Sequence, residues 1–225
     1  ACSHFLCNGE YMLMLHAVTR DIPEIPDDNL VSMIDAIMPY VDFVQLREKS
    51  RSSKSLGLLI ERLLEKGISA EKLIVNDRAD IATAFHIPRT HLTEKSLSLP
   101  RLQDAFPEMK FGRSFHSLRA IERELAAYDY GYLGHIFRTS EKSYPALGIE
   151  PLMEAAQISE QKGGKLIAIG GIDIDTISRV LPYSSGAAVM SALFPVVNYQ
   201  FDIERGRKRA QALRELINAS ENTGS

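Results

Sequence analysis

The chain has 225 residues, of which 45% are hydrophobic and 24% charged, with a formal net charge of −3 and no tryptophan. This composition excludes a collagen-like, disordered or disulfide-stapled protein. No apolar run approaches the roughly 20 residues of a membrane-spanning helix, and no basic field favours nucleic acid. The length is compatible with two small domains or with one α/β barrel.

Residues 1–11 hold both cysteines, Cys2 and Cys7, and lack the basic and apolar regions of a secretory signal. We expect this segment to be a flexible N-terminal extension and 12–220 to be a single domain. Two cysteines make no disulfide framework. Their scarcity favours a reducing, cytoplasmic location.

Eight short apolar runs alternate with amphipathic stretches from Met12 onward. Short and nearly continuous apolar runs are typical of strands that are buried on both faces of a parallel sheet. The predicted strands cover 12–18, 41–46, 72–75, 90–92, 110–114, 130–134, 165–170 and 186–190.

The stretches between these runs carry apolar residues at helical spacing. Predicted helices include 30–40, 55–67, 96–106, 117–128, 151–164, 175–183 and 201–220. Eight alternating units predict an α/β protein with the (β/α)8 TIM-barrel fold. The alternative is an open doubly wound sheet, but no G-x-G-x-x-G motif follows the first strand.

Active sites of such barrels form at the carboxyl ends of the strands. Gln45, Arg47 and Lys49 come at the end of the second strand, where basic and amide groups suit an anion or a planar heterocycle. Asn76 follows the third predicted strand and is a further candidate for substrate binding. Asp77 after it is expected to cap the next helix, with a cation or a ligand amine as alternatives.

Two histidines follow later strands. Ser114 and His116 come at the end of the fifth strand, and we expect a structural hydrogen bond from His116 rather than catalysis. His135 directly follows the sixth strand, where a general acid/base would be placed. A polar loop over 138–146, which contains Lys142, could close over a ligand.

The junctions after the last two strands predict a phosphate site. Gly170 and Gly171 follow strand seven and let backbone N–H groups approach an anion. Met190 and Ser191 follow strand eight, and a short helix is expected to begin near Ser191 with its N-terminus toward the same point. Loops after strands seven and eight bind phosphate in many barrels.

Several of these stretches, in this order, resemble the thiamine phosphate synthase superfamily, whose fold is a (β/α)8 barrel. The similarity runs from Met12 to about Leu216. The matching stretches are QLREK (45–49), VNDRAD (75–80), GRSFHS (112–117), GHIFRT (134–139), IAIGGI (167–172) and VMSALF (189–194).

The chain departs from the synthase pattern at several of its functional positions. The synthase has proline where this chain has His135 and Arg138, and threonine where it has Glu141. Of the two magnesium-binding aspartates, Asp77 is kept and the second falls at Ser96. These departures are similar to the thiazole tautomerase branch, whose proposed acid/base histidine matches His135.

The tautomerase resemblance implies a proton shift that aromatises a thiazole phosphate, without metal or other cofactor. Under this interpretation, the substrate-binding candidates are Gln45, Arg47, Lys49, Asn76, Ser114 and Lys142. A thiamine phosphate synthase and a non-catalytic thiazole-phosphate-binding regulator are the alternatives. The expected partner is the small-molecule thiazole phosphate. We expect binding to neither nucleic acid nor a membrane, and a homodimer is possible. No cysteine or carboxylate stands at metal-ligand spacing from His86 and His91 in the sequence, so we predict no zinc site.

Overall fold

The structure is a computed structural model that describes residues 12–139 and 143–223. Eight strands form a closed barrel in chain order. They are β1 Met14–Val18, β2 Phe43–Leu46, β3 Leu73–Asn76, β4 Arg89–Leu92, β5 Lys110–Phe115, β6 Tyr130–Gly134, β7 Leu166–Ile169 and β8 Gly186–Val189. Every predicted run coincides with one of these strands, and the (β/α)8 TIM barrel is confirmed. The predicted extension at 1–11 lies outside the described residues.

Seven α-helices accompany these strands in the part of the chain that the structure describes. They are α1 Asp27–Ile37, α2 Ser53–Glu65, α3 Ala79–Ala84, α4 Leu99–Ala105, α5 Leu118–Glu124, α6 Ile149–Lys162 and α7 Ile203–Thr223. In α2, Leu56, Leu59, Ile60 and Leu63 are buried because helical spacing brings them to one face. Over the same described ranges, no helix has the length and apolar character needed to cross a membrane.

The helix predicted over 175–183 is wrong. Two short 3-10 turns stand there: Ile177–Arg179 and Leu181–Tyr183. The Asp173 carboxylate accepts the backbone N–H of Thr176 at 3.1 Å, as an N-cap does, so the first turn forms. Pro182 has no N–H to donate to a continuing helix. The proline therefore interrupts the helix that the apolar pattern predicts.

The short helix predicted near Ser191 is also wrong. The chain makes a single turn there, in which the N–H groups of Leu193 and Phe194 both donate to the carbonyl of Met190 at 3.1 Å. Pro195 follows at once and ends the turn, because a proline cannot donate a helical hydrogen bond.

An antiparallel hairpin that the sequence did not reveal follows this turn. Its strands are β9 Val196–Val197 and β10 Gln200–Phe201. The two connecting residues, Asn198 and Tyr199, have φ values of 48° and 58°. Positive φ at both central positions is the geometry of a tight hairpin turn, and asparagine tolerates it well.

The described chain divides into two compact units. The first combines the residues up to His16 with Gly112–Val189 and the chain from Ala212 onward. Strands β6, β7 and β8 pair in parallel within it. Its interior holds a polar pair, because Nδ1 of His16 lies 2.8 Å from the hydroxyl of Tyr132. Burial raises the pKa of that tyrosine well above its usual value.

The second unit combines Ala17–Phe111 with Met190–Gln211. Strands β2, β3 and β4 pair in parallel within it. The register places Gln45 beside Ile74 and Asn76 beside His91. The polar residues at the ends of β2 and β3 are therefore held by a regular ladder.

A buried carboxylate anchors the chain after β2. Glu48 is 6% exposed. Its carboxylate accepts a hydrogen bond from the Thr19 hydroxyl at 2.6 Å and another from Nε of Arg51 at 3.0 Å. Arg51 also pairs with Asp27 at 2.8 Å. Burial raises the pKa of Glu48 above its usual 4.5, although its hydrogen bonds and the charge of Arg51 act to lower it. Its ionised form is therefore disfavoured in the folded protein.

This raised pKa predicts a pH-dependent effect of the Glu48→Gln substitution. The stability contributed by Glu48 is complete below pH 4.5 and is lost as the pH rises through the folded-state pKa. We therefore expect the free energy of unfolding of the variant, relative to the parent protein, to increase from acidic to neutral pH. Urea denaturation across this range measures it.

Glu204→Gln is the matched control with the opposite sign. The hydrogen bond from Arg207, followed by that from Lys208, lowers the pKa of Glu204, so its contribution is present above pH 4.5 and is lost on acidification. A Glu48→Gln difference that is constant with pH, or that follows the trend of Glu204→Gln, would contradict the assignment.

Candidate active site

His135 immediately follows β6 in the first unit, as predicted. Its backbone carbonyl accepts the N–H of Leu147 at 2.9 Å, and the next residue, Ile136, donates to the carbonyl of Ile169 at 2.9 Å. The second bond continues the β6–β7 pairing beyond the end of β6, and the first ties His135 to the chain before α6. The histidine therefore sits on a backbone that is held from two sides.

Gly170 packs directly against this histidine. A Cβ on Gly170 would lie 2.3 Å from Cβ of His135, and the glycine has a φ of 98°. At Gly171, with a φ of 66°, a Cβ would lie 2.8 Å from both Cβ of Phe137 and the carbonyl oxygen of Arg138. Side chains are excluded at both positions, so the structure brings the candidate histidine and half of the predicted phosphate site together.

The imidazole of His135 is enclosed. The residue is 6% exposed, and its Nδ1 is buried with no hydrogen-bond partner among the described residues. The ring of Tyr144 meets it edge to face, with centroids 4.7 Å apart and an interplanar angle of 65°. A buried imidazole nitrogen with an unused hydrogen-bonding position can exchange a proton with a bound ligand.

His116 supports the same backbone from β5. Its Nδ1 lies 2.9 Å from the carbonyl oxygen of Gly134, the residue before His135. This contact agrees with the predicted structural role of His116. Ser114 lies within β5, half-buried and in register with Tyr132 of β6.

Two candidate binding residues meet in the second unit. Nε2 of Gln45 donates to Oδ1 of Asn76 at 3.0 Å. Gln45 is 2% exposed, and its Oε1 is buried without a hydrogen-bond partner in the described part of the chain. At the end of β2, the pair therefore leaves one buried amide oxygen whose hydrogen-bonding capacity the described residues do not use.

The other candidates around β2 and β8 are placed in the second unit as well. The backbone N–H of Arg47 donates to the Thr19 hydroxyl at 2.9 Å, and Lys49 is exposed. Met190 and Ser191 stand directly after β8, in the turn described above. Lys142 lies outside the described residues.

Asp77 does not cap α3, which corrects the sequence prediction. Arg78 occupies the cap position, and Asp77 adopts a φ of 58° with its N–H donating to the carbonyl of His91 at 2.9 Å. The Ser96 hydroxyl donates to the Asp77 carboxylate. The same hydroxyl accepts the N–H of Thr93 at 2.8 Å. The carboxylate is thus engaged by a neutral side chain.

This arrangement bears on the magnesium site that the synthase resemblance implies. Magnesium is bound through carboxylates and water in octahedral geometry. The position of the second aspartate holds Ser96, whose hydroxyl hydrogen points to Asp77. No cluster of three or more metal-ligating acidic, histidine or cysteine side chains occurs within the described ranges. The residues present do not fit a cation held by two aspartates.

Two features of the site escaped sequence reasoning. Tyr144 belongs to no motif, and its contact with His135 depends on how the chain returns after residue 143. The hydrogen bond from Ser96 to Asp77 was not predicted either. The family resemblance had placed Ser96 only at the position of the second aspartate.

Two curated proteins are similar to the chain over most of its length. Thiamine-phosphate synthase of Chlorobium luteolum is 32% identical over 179 residues, covering 72% of this chain and 84% of that protein. The enzyme of the same name from Shouchella clausii is 30% identical over 190 residues, covering 81% and 88%. Both are similar to the chain over most of the barrel.

Solved structures show the same fold. Thiamine phosphate pyrophosphorylase from Pyrococcus furiosus superposes with a TM-score of 0.72 at 24% identity, over 92% of this chain and 96% of that one. The corresponding protein of Bacteroides thetaiotaomicron gives 0.68 at 18% identity, over 92% and 98%. The sequence model described as thiamine monophosphate synthase (TMP-TENI) matches residues 15–193. The chain belongs to the thiamine monophosphate synthase family.

Proposed function

We propose that the protein is a thiazole tautomerase, which converts a phosphorylated carboxythiazole tautomer to the aromatic carboxythiazole phosphate. The observation that carries this proposal is the placement of His135. His135 stands at the end of β6 with an enclosed imidazole, and its Cβ packs against Gly170 of the predicted phosphate site. A proton-transfer group and an anion-binding turn in contact are what this isomerisation requires.

The reaction moves one proton and changes no other atom. A proton leaves the ring carbon that bears the carboxylate, and the exocyclic carbon gains one. Histidine can accept and return a proton near neutral pH, so His135 can serve both steps. Gly170 and Gly171 would bind the phosphate through backbone groups and hold the ring beside the imidazole.

The remaining binding roles are part of the proposal. Met190 and Ser191 would contribute to the phosphate site. Arg47 or Lys49 would face the substrate carboxylate, since a cation pairs well with it. Polar contacts with the substrate are assigned to four further residues: Gln45, Asn76, Ser114 and Lys142.

Thiamine phosphate synthase is the second candidate, and the comparisons favour it. The curated relatives carry that name, so they support a synthase better than a tautomerase. Two residues argue against it: Ser96 at the second aspartate position and His135 where the synthase has proline. We rank the tautomerase first on these site residues.

The first test is His135→Asn. Asparagine keeps a polar side chain of moderate size but cannot exchange a proton at neutral pH. We expect aromatisation of the tautomer, followed by ultraviolet absorbance, to slow by roughly 100-fold or more. Affinity for the aromatic product, measured by calorimetry, should change little.

His86→Asn is the matched control, because His86 is exposed at the end of α3 and should leave turnover unchanged. An unaffected rate in His135→Asn would remove this residue from the mechanism. A parent protein that binds the thiazole phosphate without converting it would refute the tautomerase and indicate a binding protein.

The second test separates the two enzymes. With magnesium, a pyrimidine pyrophosphate and a thiazole phosphate, we expect no thiamine phosphate from the parent protein, because one carboxylate is missing. Ser96→Asp should increase magnesium affinity, measured by calorimetry, because it returns a second carboxylate beside Asp77.

Ser98→Asp provides the control for added charge, since Ser98 caps α4 without a side-chain hydrogen bond. Efficient coupling by the parent protein would establish the synthase and overturn our ranking.

A further inference from the structure

Tyr144 stands out as an aromatic side chain that the proposed mechanism does not use. It is 49% exposed, and its ring meets the His135 imidazole in an edge-to-face arrangement with 4.7 Å between centroids. One part of the ring therefore covers the histidine while another part stays accessible.

The backbone near Tyr144 is tied to the backbone of the histidine. The N–H of Leu147 donates to the carbonyl of His135 at 2.9 Å, and the N–H of Gly148 donates to that of Ile136 at 3.0 Å. Two consecutive bonds make a short ladder three residues beyond the tyrosine. The returning chain, and with it Tyr144, is therefore anchored beside the catalytic candidate.

A half-exposed aromatic ring in this place has a specific chemical use. Aromatic rings bind planar heterocycles by stacking, and such contacts are tolerant of substituents because they use the face of the ring. Gly170 packs against Cβ of His135, and the turn that it forms with Gly171 would hold an anionic group. Tyr144 and this turn therefore offer an aromatic surface and an anion site that both contact His135.

We propose that Tyr144 is a substrate-binding and specificity residue, whose ring contacts the planar heterocycle of a phosphorylated ligand and shields His135 from water. This inference rests on the proposed function, because it takes the ligand to be a flat aromatic or near-aromatic ring. A stacking contact with Tyr144 would favour phosphates that carry a planar ring over sugar phosphates of similar charge.

Kinetics of Tyr144 variants provide the first test. Tyr144→Ala should raise KM for the tautomer by roughly tenfold, the usual loss when one stacked ring is removed. Tyr144→Phe should keep KM within about twofold, because the ring remains. Far-ultraviolet circular dichroism checks that both variants fold.

Tyr199→Ala is the matched control, since Tyr199 is an exposed tyrosine of the β9–β10 turn. An unchanged KM in Tyr144→Ala, or an equal rise in Tyr144→Phe, would overturn the stacking role.

A spectroscopic test does not depend on turnover. The chain has no tryptophan, so Tyr144→Trp introduces a single reporter beside His135. Its emission should change when the aromatic carboxythiazole phosphate is added and should stay constant with ribose 5-phosphate. An equal response to both ligands, or to neither, would show that position 144 does not recognise the ring.

The same reporter tests the contact with the histidine. Because the ring at position 144 lies against the imidazole, the emission of Tyr144→Trp should change when His135→Asn is added to it. If the parent protein fails to aromatise the tautomer but both fluorescence results hold, the proposed activity is wrong and the binding role of position 144 stands.

Discussion

The absence of a side chain at Gly170 is the constraint on which the site depends. A Cβ there would come within 2.3 Å of His135, and a Cβ on Gly134 would come within 2.2 Å of the carbonyl oxygen of Ile169. The chain segments that continue β6 and β7 can meet only because both positions are glycine. This close approach places His135 beside the predicted phosphate turn. The chain at Leu147 then bonds to the His135 carbonyl.

Most of the fold was predictable from local pattern. Buried parallel strands need short apolar runs, and all eight appear as such in the sequence. The failures occurred where a few side chains decide the backbone. Pro182 interrupts the helix predicted over 175–183, where two 3-10 turns stand, and Asn198 allows a hairpin that the apolar pattern did not indicate.

The site was predictable to the extent that strand ends define it. His135 was chosen as a candidate because it follows β6, and Gly170 was chosen because it follows β7. Tyr144 was not, because its contact with His135 depends on long-range backbone bonds at Leu147 and Gly148. For Asp77, the capping prediction failed, since its carboxylate binds Ser96 from the next βα loop.

The Glu48 cluster has a consequence for the cost of ligand binding. Glu48 and Thr19 are buried, and their bonds to Arg51 and to the backbone of Arg47 fix the segment that carries two of the proposed cations. Ordering a loop around a ligand costs conformational entropy, which subtracts from affinity. Here much of that ordering is completed during folding, so an anion would meet a segment that is already preorganised.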